Sequence, residues 1–176
     1  MRNWVIGLGL VVAVVGFLAF RPDKLFLDDP VDEGLSEAFA EEESPSETTG
    51  APGTTVVPGT TTAAEPEAVL RGSWRGIDHT ASGTVAVYRQ SDRYALRFED
   101  DTDIQNGPDL KVWFLEGSDY QGGQPTTFLN LGPLKGNVGG QNYELDADFD
   151  PARHRAVLVW CERFSVPFAV APLTEG

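Results

Sequence analysis

Cysteine occurs once in this chain, at Cys161, so no intramolecular disulfide can staple the fold. Methionine also occurs once, as Met1, and histidine twice, as His79 and His154. A blue-copper site uses two histidines, one cysteine and a weak axial methionine. Here no histidine follows Cys161 and the methionine is the first residue, so that inventory disfavours copper. Haem finds one ligand in His79 and lacks the methionine of a Met/His pair, and it too is disfavoured. His154, after Arg153 and near Pro151, reads as a solvated turn residue. Positive charge is scarce as well. Thirteen Lys and Arg stand against 27 Asp and Glu, a net charge of −14. Nucleic-acid binding draws on clustered cations, so that partner class is excluded. No Gly-x-Ser-x-Gly elbow, metalloprotease helix or phosphate-cradling loop occurs, which argues against an ordinary hydrolase and leans against an enzyme.

The first 70 residues carry nine of those net negative charges, yet they begin with an uncharged run, Trp4–Phe20. As a helix its 17 residues would reach about 26 Å, the short end of what spans a bilayer. Arg2 precedes it, Arg21 and Lys24 follow it, and Trp4 and Phe20 stand where aromatic belts lie. A cleaved signal peptide would need small residues at −3 and −1 just after the run, and Phe17-Leu18-Ala19-Phe20-Arg21 does not supply them. The expectation is an uncleaved anchor over residues 1–24 whose partner, through residues 4–20, is the lipid bilayer. From 25 to 70 the chain is first acidic and then rich in Thr, Pro and Gly, which predicts a disordered tether. A short helix fits Gly34–Glu43, although its apolar content is thin. The stalk-like composition puts the following domain outside the cytoplasm, with the N-terminus cytoplasmic.

Residues 71–173 change character. Short β-rich runs, punctuated by Gly, Pro, Asn and Asp, occupy 72–77, 84–90, 94–99, 110–116, 127–131, 141–145, 156–161 and 164–170. Val85 and Val87 share a face by alternation, as do Tyr94, Leu96 and Phe98, and Leu110, Val112 and Phe114. Ser91-Asp92-Arg93 reads as a hairpin turn. About eight short strands without a helical stripe predict an antiparallel all-β sandwich or barrel.

The ordered pieces through this region include Gly72-Ser73-Trp74 with His79; Gly83-Thr84-Val85-Ala86-Val87-Tyr88; Leu96-Arg97-Phe98-Glu99-Asp100; and Asn106-Gly107-Pro108-Asp109-Leu110. Later come Leu131-Gly132-Pro133-Leu134-Lys135-Gly136-Asn137, Gln141-Asn142-Tyr143, and Val159-Trp160-Cys161-Glu162-Arg163-Phe164-Ser165-Val166-Pro167-Phe168. In these the domain resembles the DM-thirteen family, the electron-transfer domain that accompanies DOMON domains. The resemblance implies a DOMON-like β-sandwich and a redox role centred on Cys161.

Alternation puts Val157, Val159, Cys161 and Arg163 on one face of a strand, where the guanidinium would favour the reactive thiolate. Trp160 would point the opposite way. The competing reading is an inert buried thiol, since Val157–Trp160 is apolar on both faces and free cysteine is among the most buried residue types. His79 and Trp160 are candidate binding residues. Glu99-Asp100-Asp101-Thr102-Asp103, with Asp109, could gather around calcium, but turn chemistry explains the same residues better, so no metal or other cofactor is expected. Two readings of different class therefore stand. One is a redox module serving an extracytoplasmic partner, with Arg163 tuning Cys161. The other is a non-catalytic binding or adhesion module on a stalk, with Cys161 as core. Exposure of the sulfur separates them.

Overall fold

The computed structural model describes residues 27–40 and 64–176, and the expected membrane span lies outside the described residues. No helix among the described residues is long and apolar enough to cross a bilayer. The described chain is all-β and antiparallel. Its strands are β1 (Glu67–Ser73), β2 (Arg75–Gly76), β3 (Ala81–Ser82), β4 (Thr84–Gln90), β5 (Arg93–Phe98) and β6 (Asp103–Ile104). They continue with β7 (Leu110–Glu116), β8 (Phe128–Pro133), β9 (Gln141–Leu145), β10 (His154–Cys161) and β11 (Val166–Glu175).

One hydrogen-bonded path runs β8-β7-β10-β11-β1-β4-β5-β9, with β2 added on β11 and a separate β3-β6 ribbon. The two antiparallel layers expected of a sandwich are thus one continuous, barrel-like sheet. The corner is β11: Val166 to Pro172 pair with β10, and Leu173 to Glu175 pair with β1. A strand long enough to serve both layers joins them. The same corner explains two displaced boundaries. The sequence starts the last strand at Phe164, which lies instead in the turn before β11, and the sheet takes in Glu67 to Leu70 from the expected tether.

Alternation is kept where the sequence is regular. Val85, Val87, Leu96, Phe98, Leu110, Val112, Phe114, Val157 and Val159 all enter one interior cluster, with Tyr94 packed against it. The loops 99–109, 134–140 and 162–165 meet at one end of the barrel. Leu134 N–H donates to Leu110 O, Ile104 N–H to Asn137 O, and Glu162 N–H to Asp109 O there. The β4–β5 turn at Ser91 and the loop after Glu116 belong to the opposite end.

Residues 27–40 do not behave as a tether. They form a strap along the barrel from the first end toward the second. Val31 N–H donates to Val138 O and Glu33 N–H to Gly140 O, each at 2.9 Å. Two glycines make room for it: a Cβ on Gly136 would strike Asp29 O, and one on Gly139, at φ +98°, would strike Val31 O. The carboxylate of Glu33 meets Lys135 Nζ at 2.8 and 2.9 Å and accepts from Asn142 N–H at 2.8 Å. Its carbonyl accepts from the buried Arg97 at 2.6 Å. A 3-10 turn, Leu35–Phe39, then buries Ala38 and Phe39 against Ala95. Covering Phe39 alone is worth about 1.5–3 kcal/mol, which offsets part of the ordering entropy of the strap.

The strap ends where Arg93 donates to Phe39 O, and the chain re-enters where Gln90 donates to Ala64 O. Gln90 and Arg93 are partners in the same hairpin. Residues 41–63 therefore leave and return at one place and add no reach between domain and N-terminus.

Burial draws the Glu33 carboxyl upward, but Lys135, the Asn142 amide and Arg97 together hold it below its ordinary 4.5. A lowered carboxyl stabilises docking above its unfolded pKa and loses that contribution as pH falls through the folded one. Hydrogen exchange at Val31 and Glu33 should accordingly accelerate as pH drops below 4.5, relative to exchange in β10. Glu33→Ala should weaken strap docking by about 1–2 kcal/mol at neutral pH, read from the same amides. Unchanged protection in that variant would show that the carboxylate does not hold the strap.

Candidate functional site

β10 carries Cys161 as its last residue, and the sulfur's surroundings follow from its register. Cys161 lies opposite Leu110 of β7 and Val166 of β11. It is wholly buried, at 0% exposure, in the interior cluster with Val157 and Val159. Trp160 belongs to the cluster on the other face, as alternation predicts. Arg163 departs from the expectation. The strand stops at Cys161, so the alternation that would carry Arg163 beneath the sulfur stops with it. Arg163 lies exposed in the turn Glu162–Ser165, where Ser165 adopts φ +53°.

Beside the cysteine the ladder is irregular. Val159 pairs with Ala169 and Trp160 with Pro167, which leaves Phe168 as the extra residue of β11. Its carbonyl is satisfied from outside the pair, by Ile77 N–H at 2.8 Å. Its ring enters the same interior cluster as Cys161 and stacks on His79, with centroids 3.6 Å apart and planes 13° apart. His79 is half-buried in the loop that follows β2. The structure thus brings His79 and Cys161 to one end of the core through Phe168.

Trp160 is 2% exposed and takes part in an aromatic stack across three strands. Its ring lies 5.1 Å from Trp113, which lies 4.0 Å from Phe128. That stack covers the outer face of β10, β7 and β8 and gives Trp160 no open side for a ligand.

His154 is not solvated. It opens β10 at 3% exposure, accepts from Asp150 N–H at 3.0 Å through Nδ1, and packs on Phe149 and Phe114. The calcium candidates turn to protein donors instead of converging. Asp101 accepts from Thr84 N–H and Oγ1 at 2.9 Å, Glu99 takes Arg97 and the Tyr88 hydroxyl, and Asp100 takes Arg97. Among the described residues no group of three or more His, Cys, Asp or Glu is arranged to hold a metal.

A cleft of about 160 Å³ opens at the cysteine end between strap and barrel. Asp29, Asn106, Gly107, Leu110 and Leu134 line it, so it lies across the ladder from Cys161, separated by Leu110. It is smaller than the roughly 300–1,000 Å³ of ordinary ligand sites.

A family model described as Electron transfer DM13 matches residues 75–173, more than half of the chain. The chain belongs to the DM13 family. No curated protein and no solved structure matches it. The DM13 match covers β10, β11 as far as Leu173, His79 and Cys161 and excludes β1 and the strap, so the strap is an addition to the matched region. Membership carries a redox role in general terms and assigns no atom to it.

Sequence reasoning did not find the strap contacts or Phe168. Leu35, Ala38 and Phe39 stand at i, i+3 and i+4, the apolar spacing of one helical face, and that was the available signal. Phe168 owes its place to a bulge, which has no signature in residue type alone.

The packing at this end is tight. A Cβ on Gly107 would lie 2.9 Å from the Phe168 ring and 3.0 Å from Leu110 Cδ2. Gly107→Ala should therefore displace Phe168 and lower stability by about 1–3 kcal/mol, measured by denaturant unfolding. An unchanged midpoint would show that the ring yields freely.

Proposed function

We propose that this DM13 domain is a membrane-anchored, extracytoplasmic electron-transfer or thiol-redox module whose redox group is Cys161. The observation that carries the reading is the position of Cys161. It is the final residue of β10, next to a bulge and an exposed four-residue turn, in a member of an electron-transfer family. Strand ends open at lower cost than strand centres. Release of Glu162 N–H from Asp109 O would free the turn and uncover the sulfur. Arg163, carried on that turn, would then stand beside the thiol and favour the thiolate. In exchange with a disulfide partner, that thiolate would attack one sulfur and release the other as a thiolate. With one cysteine in the chain, a third, external thiol would attack the partner's sulfur in the mixed disulfide and release the Cys161 thiolate, so that the partner's original disulfide is exchanged for one between the partner and that thiol. His79, half-buried on Phe168, is the binding residue assigned at this end; Trp160 acts by packing. No resident metal or organic cofactor enters the proposal.

The anchor is Trp4–Phe20, supported by the uncharged run and the charges that close it; the cytoplasmic N-terminus rests on the Thr-, Pro- and Gly-rich composition of the chain that follows. A second reading keeps the anchor but makes the domain a binding or adhesion module. What favours it is the complete burial of the sulfur and its absence from the lining of the described clefts.

Thiol labelling separates the two. In the redox reading, Cys161 of the native domain reacts with a maleimide faster than global unfolding allows, and Cys161→Ser abolishes electron or thiol exchange with a small mediator. Labelling that merely tracks global unfolding, together with a variant indistinguishable in exchange, would leave the binding module.

A further inference from the structure

Two large apolar side chains stand out in solvent among the described residues: Leu27, 64% exposed, and Phe164, 52% exposed. They lie far apart in sequence but belong to one end of the barrel. Asn106 Nδ2 donates to Leu27 O at 2.8 Å, and Glu162 N–H donates to Asp109 O at 3.0 Å. The strap's first residue and the Phe164 turn are thus fastened to the two ends of a single loop, Asn106–Asp109. This is the cysteine end.

We propose that this end rests on the lipid surface, with Leu27 and Phe164 entering the interfacial region of the bilayer. The placement rests on Trp4–Phe20 being the membrane span, and chain length supplies the constraint. A 46-residue tether over 25–70 would leave the domain free to turn in any direction. With the strap docked, only residues 21–26 separate Phe20 from Leu27, a distance of at most about 25 Å when fully extended. Residues 41–63 cannot lengthen that link, because both their ends are held at the β4–β5 hairpin.

Charge at this end leans acidic, since Asp28 and Asp29 follow Leu27 and Lys111 faces two carboxylates. Lys111 Nζ lies 3.0 Å from Asp109 and 3.9 Å from Glu162. The contact is therefore apolar, suited to a zwitterionic surface, and needs no anionic lipid. A short link gives two modest side chains a high effective concentration at the membrane, which neither would have on a free domain. The placement holds for either orientation of the span. It also turns the Cys161 end of the core toward the bilayer and the Ser91 hairpin away from it.

The test uses the full chain in phosphatidylcholine vesicles containing a headgroup-nitroxide lipid. An environment-sensitive fluorophore is attached to Phe164→Cys or, at the opposite end, to Ser91→Cys; the parent chain, with its buried thiol, sets the background. Glu162→Cys, on the same turn, replaces Phe164→Cys if that variant does not fold. The expected result is severalfold stronger quenching at 164 than at 91. Chain that resists alkaline extraction but is quenched equally at both positions would overturn the placement and leave the anchor standing. Chain released by alkaline extraction would overturn both.

Discussion

A buried guanidinium has to be surrounded, and in this protein that requirement organises much of what lies outside the core. Arg97 stands on the outward face of β5 at 5% exposure. Asn142 comes from β9, and Glu99 and Asp100 come from the loop that leaves β5. A fourth partner, the carbonyl of Glu33, comes from a segment 64 residues earlier. Leaving a buried donor without its acceptor costs about 1–3 kcal/mol, and more when the donor is charged. The strap therefore forms part of the solvation of Arg97, and Glu33 is used twice: its carbonyl takes Arg97, and its carboxylate takes Lys135 and the Asn142 amide.

Docking the strap changes the meaning of the N-terminal third. Glu33, one of the acidic residues that would extend a free chain through mutual repulsion, instead finds Lys135 on the barrel. The chain then runs from the cysteine end to the β4–β5 hairpin, and its Thr- and Pro-rich remainder returns to that same hairpin. On the proposed anchor, reach gives way to orientation. A domain on a long coil samples every direction, whereas one held at its own end by a few residues presents a fixed face to whatever holds it.

The candidate site shows the same tension between chemistry and packing. DM13 membership brings a redox role, but the sulfur lies in the interior with Val157 and Val159. In the proposed redox role, its position at a strand terminus, between a bulge and an exposed turn, would reconcile burial with reactivity by way of local opening. The aromatic groups divide by face. Phe168 and His79 form the inner corner at the cysteine end, and Trp160, Trp113 and Phe128 cover the outside.

Short alternating runs, the turn residues between them and the lack of a helical stripe determined that the domain is all-β. Alternation also put Val85 with Val87, Leu96 with Phe98, and Val157 and Val159 with Cys161 on common faces, because a period of two puts alternate side chains on one face wherever a strand stays regular; that these faces point inward was decided by the barrel-like sheet. The pattern failed where regularity ends. Alternation cannot see that β10 stops at Cys161, which puts Arg163 in a turn, or that a bulge frees Phe168 to pack inside. His154 looked solvated because its neighbours are polar, while its burial is decided by Phe149 and Phe114 from other parts of the chain. The strap was hidden for a related reason. Its residues bury little against one another, and only the completed sheet provides Arg97, Lys135 and Ala95 as the surface that orders them.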